Sequence, residues 1–160
     1  MGDFQVRAIQ SSIDRNQYYK AIISDIHQFE KLLADGRIEK AQNMIGVEQE
    51  ICIIDKNGRP NPKAIEILND IADPHFTNEL ALFNLEANGD PMQLGQNTLS
   101  NMEKHLHGMM QIGQAVASDH ESSLLLTGIL PTLKYNHLIF SWMTPKERYQ
   151  ILSNELLKLR

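Results

Sequence analysis

Three glutamates sit where strand-like sequence would hold them rigidly. Glu48 and Glu50 lie in Gly46-Val47-Glu48-Gln49-Glu50, which runs into Ile51-Cys52-Ile53-Ile54, and Glu86 lies in Leu85-Glu86-Ala87-Asn88. In an extended strand successive side chains alternate between faces, so Glu48 and Glu50 share one face with Cα atoms roughly 6.5–7 Å apart. The other face, Val47, Gln49, Ile51 and Ile53, is mostly apolar. Two carboxylates at that spacing on a rigid ladder can hold a hard divalent cation. Mg²⁺ fits, because it takes one or two protein carboxylates and leaves its other positions to water and phosphate oxygens. On two alternating glutamates alone, a solvated strand face is the simpler reading.

Glu86 repeats the arrangement, with Phe83, Leu85 and Ala87 on one face and Asn84, Glu86 and Asn88 on the other. If the two strands are neighbours about 4.8 Å apart, their acids merge into a patch of three carboxylates. Like charges so close repel and raise one another's pKa, so such a patch implies bound cations or wide solvent exposure. Glu79 would fall off Glu86's face if it belonged to the same strand. The turn-rich stretch from Asp73 to Glu79 also allows it to enter from a loop and reach the patch.

These motifs resemble glutamate–cysteine ligase family 2, carboxylate–amine ligases related in catalytic fold to glutamine synthetase. Gly46-Val47-Glu48-Gln49-Glu50 is similar to the family's opening Gly-Val-Glu-x-Glu, and Asp55 to Pro62 resembles its Asp-x-x-x-Gly-x-Pro connection. Glu79-Leu80 followed by Leu85-Glu86-Ala87-Asn88 matches a Glu-Leu…Leu-Glu-x-Asn segment, and Trp142, Thr144-Pro145 and Arg148-Tyr149 resemble a later Trp…Thr-x-x-x-Arg-Tyr stretch. The motifs follow the family's order over residues 44–150. Departures are also visible. Residues 1–43 precede the opening strand as an N-terminal helical extension, Ile129-Leu130-Pro131 stands where the family often has Thr-His-Pro, and the His-rich strand and Arg-containing segments of longer members have no counterpart.

The resemblance implies an α+β fold: an antiparallel sheet with helices packed on one face, forming part of a glutamine synthetase-like catalytic domain over residues 44–160. It implies Glu48, Glu50, Glu86 and Glu79 as Mg²⁺ ligands, Asn88 as a substrate contact, and ATP as co-substrate. The implied reaction joins a glutamate-like carboxylate to a cysteine-like amine through an acyl phosphate. The final apolar stripe, Leu152, Leu156 and Leu159, runs to Arg160 with no stop signal, as expected of the N-terminal part of a longer enzyme that is inactive alone. The alternative is a noncatalytic domain that keeps the fold for assembly or ligand binding. A metal-independent interaction module whose acids merely face water is a third reading.

Composition narrows the partners. The chain has 160 residues, 42% hydrophobic and 22% charged, enough for one domain with a real core. A formal charge of −5 without a Lys/Arg cluster argues against nucleic acid. No apolar run approaches the roughly 20 residues of a membrane span, so small-molecule substrates are the expected partners and a homo-oligomer stays open. One cysteine excludes an intrachain disulfide framework and fits the cytoplasm.

Periodicity sets the supporting elements. A helix capped by Asp14 carries Tyr19, Ile22, Ile23, Ile26, Phe29 and Leu33 on a stripe expected to pack, and stops at Asp35-Gly36. The strand over 44–54 ends at Asn57-Gly58. A helix capped by Asn61 with Pro62 at its first position turns Ile65, Leu68 and Ile71 inward. A strand over 80–88, a turn at Gly89-Asp90-Pro91, a helix over 98–118 and a strand over 123–130 follow, with a capping box at Thr144-Pro145-Lys146-Glu147. His105 and His107, two apart on a helix, point roughly 200° apart and cannot share a metal with each other. Cys52 reads as a small core residue rather than a nucleophile, and Met102, Met109 and Met110 as core filler.

Overall fold

Among the described residues the helices and strands are α1 (Ser12–Ala34), β1 (Met44–Ile54), α2 (Ala64–Ile71), β2 (Phe76–Asn78), β3 (Asn84–Gln93), α3 (Thr98–Asp119), β4 (Ser123–Leu125) and α4 (Glu147–Lys158). Single 3₁₀ turns occupy Tyr135–His137 and Phe140–Trp142. The computed structural model describes Ile9, residues 11–38 and residues 43–158. The chain divides into two compact units, one of residues 43–145, the other joining the described residues of 1–42 to those from 146 onward.

The larger unit is an antiparallel sheet in the order β2-β3-β1-β4. Its fold class is α+β, with α2 and α3 against one face of the sheet. β-Branched residues at 45, 47, 51, 53 and 54 favour the pleated backbone of β1. Alternation then sends Ile51 and Ile53, with Leu85 and Ala87 of β3 and Phe76 of β2, into a core closed by Ala64 and Ile67 of α2 and Met109 and Ala117 of α3. Ile51, Ile53, Ile67 and Leu85 are fully buried. Each contributes about 1.5–3 kcal/mol of hydrophobic stabilisation, so this layer anchors the face behind it.

The turn after β1 forms as its residues require. Asp55 Oδ1 accepts the N–H groups of Asn57 and Arg59, both at 2.8 Å. Gly58 takes φ +69°, which a glycine adopts without steric cost. Beyond it the return strand shrinks to one bridge, Ile54 with Pro60.

Several local expectations gave way to longer-range contacts. α1 is capped by Ser11, whose Oγ accepts the Asp14 N–H at 3.1 Å, and its residues Tyr19, Ile22, Ile23, Ile26, Phe29 and Leu33 are exposed. Asn61 does not cap α2. Its amide donates instead to Ser122 Oγ at 2.9 Å, so α2 starts at Ala64 and turns Ala64 and Ile67 inward while Ile65 stays exposed. The strand expected over 80–88 begins only at Asn84, as β3, and runs on to Gln93, while Phe76–Asn78 ahead of it forms the short β2. Gly89-Asp90-Pro91 lies inside β3, because Val47 pairs with Gly89 and Ile45 with Met92, leaving Asp90 and Pro91 opposite one residue of β1. That is a β-bulge rather than a chain reversal. The last strand pairs only over Ser123–Leu125. Leu159 and Arg160 lie outside the described residues.

Candidate functional site

The pairing of β1 with β3 decides where the acids meet. Glu50 stands directly opposite Glu86 and Glu48 directly opposite Asn88. On the far side of β3, Thr77 of β2 stands opposite Glu86. All point away from the face that α2 and α3 cover, because their neighbours Ile51, Leu85, Ala87 and Phe76 fill the core. Directly opposed side chains on an antiparallel pair have Cβ atoms about 4.5–5.5 Å apart. Three acids expected to share a face therefore occupy adjacent positions on one.

Glu79 joins them from the connection between β2 and β3. Its carboxyl group hydrogen-bonds with that of Glu86. Burial comes first among the causes that push the Glu79 carboxyl above the ordinary glutamate range, followed by this hydrogen bond and by the charges of Glu86 and Glu50. For Glu86, burial also pushes upward, yet bonds from Asn88, Glu79 and Thr77 outweigh it and hold the carboxyl below its usual range. Within this pair the shifts favour the neutral form at Glu79 and the charged form at Glu86. Asn88 Nδ2 donates to Glu86 Oε1 at 2.6 Å, and Thr77 Oγ1 donates to the same oxygen at 3.2 Å.

The backbone bearing Glu79 is pinned from a distant segment. Thr144, 2% exposed, donates its hydroxyl to the Glu79 carbonyl, and its N–H bonds to the Leu80 carbonyl at 2.8 Å. Met143 bridges Ala81 and the Trp142 carbonyl accepts the Leu82 N–H at 2.9 Å, so 142–144 act as a short splint along 79–82. Thr144 was expected to cap a helix, and Thr77 was not singled out at all. β2 is only three residues long and carries no periodic signal.

Glu48 and Glu50 are exposed, whereas Glu79, Glu86 and Asn88 are half-buried. No three of the four glutamates have oxygens all within 4.8 Å of one another among the described residues. The acids form one hydrogen-bonded pair, Glu79 with Glu86, beside the exposed Glu48 and Glu50. The donor set is all oxygen, on flexible side chains rooted in a rigid ladder, and it fits Mg²⁺ in type and number. Cys52 completes the row beside Glu50, opposite Asn84, whose Nδ2 lies 3.7 Å from its Sγ. Burial, and secondarily the Glu50 charge, push the Cys52 thiol up. It is a packed neighbour of the acids.

The family comparison draws on the same segments. The family model described as glutamate–cysteine ligase family 2 matches residues 44–159. The chain belongs to this family. The match takes in β1, β3 and the connection bearing Glu79, so the acidic face lies within the family region. Comparisons with curated proteins and with solved structures find no match. Among the described residues no helix is long and apolar enough to cross a membrane.

Proposed function

We propose that the acidic face binds Mg²⁺ and the phosphates of ATP for a ligase reaction joining a glutamate-like carboxylate to a cysteine-like amine. Membership of a carboxylate–amine ligase family supports the reaction class. The observation that carries the metal reading is the register of Glu50 with Glu86 and Glu48 with Asn88, with Glu79 bonded into the same cluster. A glutamate carboxylate resists nucleophiles because it is negatively charged and lacks a good leaving group. Attack of its oxygen on the γ-phosphorus of ATP releases ADP and leaves an acyl phosphate. The amine then attacks the acyl carbon, the C–O bond to phosphate breaks, and inorganic phosphate leaves as the amide forms. Bound Mg²⁺ supplies the positive charge that gathers phosphate and carboxylate oxygens together.

The chain's own residues hold the geometry. Asn88 and Thr77 fix one oxygen of Glu86, leaving its other oxygen to the cation. A metal ion needs Glu79 in its charged form, which its raised pKa opposes, so affinity is coupled to pH. Asn88 Oδ1 is the end of that amide offered to substrate, and the chain operates in the cytoplasm as a protein of small-molecule substrates. Thermal unfolding with and without MgCl₂, ATP and both together tests the proposal, because a ligand that binds only the folded state raises Tm. A Mg²⁺-dependent ATP shift that Glu86→Gln abolishes supports it. Identical shifts in wild type and in Glu48→Gln and Glu86→Gln variants overturn it.

A further inference from the structure

A second group of metal-binding side chains lies off the acidic face, where Gly89-Asp90-Pro91 bulges out of β3. His75, just ahead of β2, Asp90 in the bulge and His105 on α3 each offer a ligand atom, and these atoms lie within 4.8 Å of one another. We propose that His75, Asp90 and His105 form a binding site for a zinc-class transition-metal ion, distinct from the glutamate cluster. The proposal stands independently of the ligase reading.

Each ring is turned for the task. Asp73 Oδ1 holds His75 Nδ1 at 2.8 Å, and Asp73 also accepts the His75 backbone N–H at 2.9 Å. That fixes the imidazole and directs Nε2 toward Asp90 Oδ1, 3.4 Å away. A carboxylate gripping the far nitrogen is the usual support of a metal-ligating histidine, since it sets the tautomer and makes the free nitrogen more basic. His105 packs edge-on against His75 with ring centroids 5.9 Å apart. Its Nε2 is buried and has no hydrogen-bond partner. The adjoining Cδ2 lies 3.4 Å from where a Cβ on Gly89 would stand, so that edge of the ring faces the strand beside Asp90. A buried ring nitrogen without a partner is costly, and a metal bond supplies one.

Donor chemistry separates this site from the acidic face. Two imidazoles and one carboxylate suit Zn²⁺, with Co²⁺ and Ni²⁺ as analogues, whereas Mg²⁺ prefers oxygen alone. Zinc bonds of about 2.0–2.2 Å place tetrahedral ligands roughly 3.3–3.6 Å apart, which small rotations from the present spacing reach. Three protein ligands leave a fourth position to water. The ion would clasp α3, the β3 bulge and the segment before β2 together. The last of these also accepts the Asn88 N–H through the His75 carbonyl at 2.8 Å.

The test is a zinc titration of the full chain, stripped of metal by chelator and exchange, against a chromophoric competitor. Co²⁺ absorption reports the ligand set. The expected result is about one equivalent of Zn²⁺ that excess Mg²⁺ does not displace, with an intense tetrahedral Co²⁺ band. His75→Ala and His105→Gln should each weaken binding about tenfold or more, Asp73→Asn roughly 10–100-fold, and Glu48→Gln not at all. Circular dichroism checks that the variants fold. If His105→Gln does not, the wild-type Co²⁺ spectrum decides, a weak octahedral band overturning the proposal. It is also overturned if zinc fails to bind stoichiometrically, if His75→Ala binds as tightly as wild type, or if Glu86→Gln alone removes the site. The first of those would mean that His75 bridges Asp73 and Asp90 only as an ion pair.

Discussion

The Glu79 and Glu86 carboxyl groups hydrogen-bond across the connection that joins β2 to β3, and their pKa values shift in opposite directions, Glu79 upward chiefly by burial and Glu86 downward because bonds from Asn88, Glu79 and Thr77 outweigh burial. Burial of Glu79 favours its neutral form, whose O–H is a donor for Glu86, while bonds from Asn88 and Thr77 favour the charged form of Glu86.

Glu79→Gln should therefore stabilise the metal-free protein at neutral pH. A raised folded-state pKa contributes stability that is complete below the ordinary glutamate value of 4.5 and is lost as pH rises through the folded value. Glutamine keeps a donor for Glu86 and an acceptor for the Leu80 N–H without that penalty. At pH 7 without divalent ions, Tm should rise by about 2 °C, corresponding to roughly 0.5 kcal/mol at a partly solvated pair. Below pH 4.5 the gain should vanish. The depressed pKa of Glu86 acts in the opposite sense, its contribution present above 4.5 and lost as pH falls. Thermal melts from pH 4 to pH 8 check the prediction, and a variant less stable at pH 7 than at pH 4, relative to wild type, would refute it.

Thr144→Val should loosen the acidic cluster from a distance. The hydroxyl of Thr144 bonds to the Glu79 carbonyl from 65 residues away in sequence. Valine keeps a similar shape and volume and leaves that half-buried carbonyl only the long 3.4 Å bond from Asn78 Nδ2, costing about 1 kcal/mol. The Thr144 backbone bond to Leu80 survives, so β3 should retain its amide protection in hydrogen exchange while residues 79–82 lose theirs. Equal protection of 79–82 in variant and wild type would show that the splint does not restrain Glu79.

The acidic face was legible where information was local, and obscure where it was not. Alternation of period 2 around Glu48 and Glu50 marked β1 at its observed limits, 44–54, because the same pattern that exposes the acids buries Ile51 and Ile53. β2 carried no such signal. Three residues become a strand there only because β3 pairs with them. Gly89-Asp90-Pro91 has the composition of a turn, yet continued pairing with β1 absorbs it as a bulge. Asn61 and Thr144 look like helix caps in their own neighbourhoods, and each is taken by a partner more than 60 residues away. His105 was weighed only against His107, two residues off on the same helix. The structure pairs His107 with Gln111 and faces His105 toward His75. The apolar stripe of α1 predicted packing from amphipathicity alone, which tells which side of a helix is apolar but not what meets it.

Cys52 should resist thiol reagents in the folded protein despite lying in the row of acids. It is 5% exposed, and burial first, with the Glu50 charge also contributing, pushes its pKa above 9.0. Thiolate, the reactive form, is therefore scarce at pH 8. Reaction with a chromogenic disulfide should be at least about a hundredfold slower than in denaturant, tracking opening of the β1–β3 pair. Rapid native labelling would place the thiol in solvent instead.

The opposed pair Glu50 and Glu86 should change the sign of its coupling when Mg²⁺ is added. Like charges directly across an antiparallel ladder destabilise it by about 0.2–1 kcal/mol. Removing the Glu50 charge without metal should thus raise stability, whereas removing that of Glu86 also gives up the stabilisation its depressed pKa reports, so the repulsion is read from the double variant, in which the second change relieves nothing further. With saturating Mg²⁺ each acid gains a shared counter-charge, so either single change to glutamine should lower stability and the double variant should lose less than the sum. Urea unfolding of wild type, Glu50→Gln, Glu86→Gln and the double variant, with and without MgCl₂, gives the coupling energy in both conditions. A coupling that keeps its sign and size in Mg²⁺ would mean that no ion sits between the two strands, and the acidic face would then be a solvated surface.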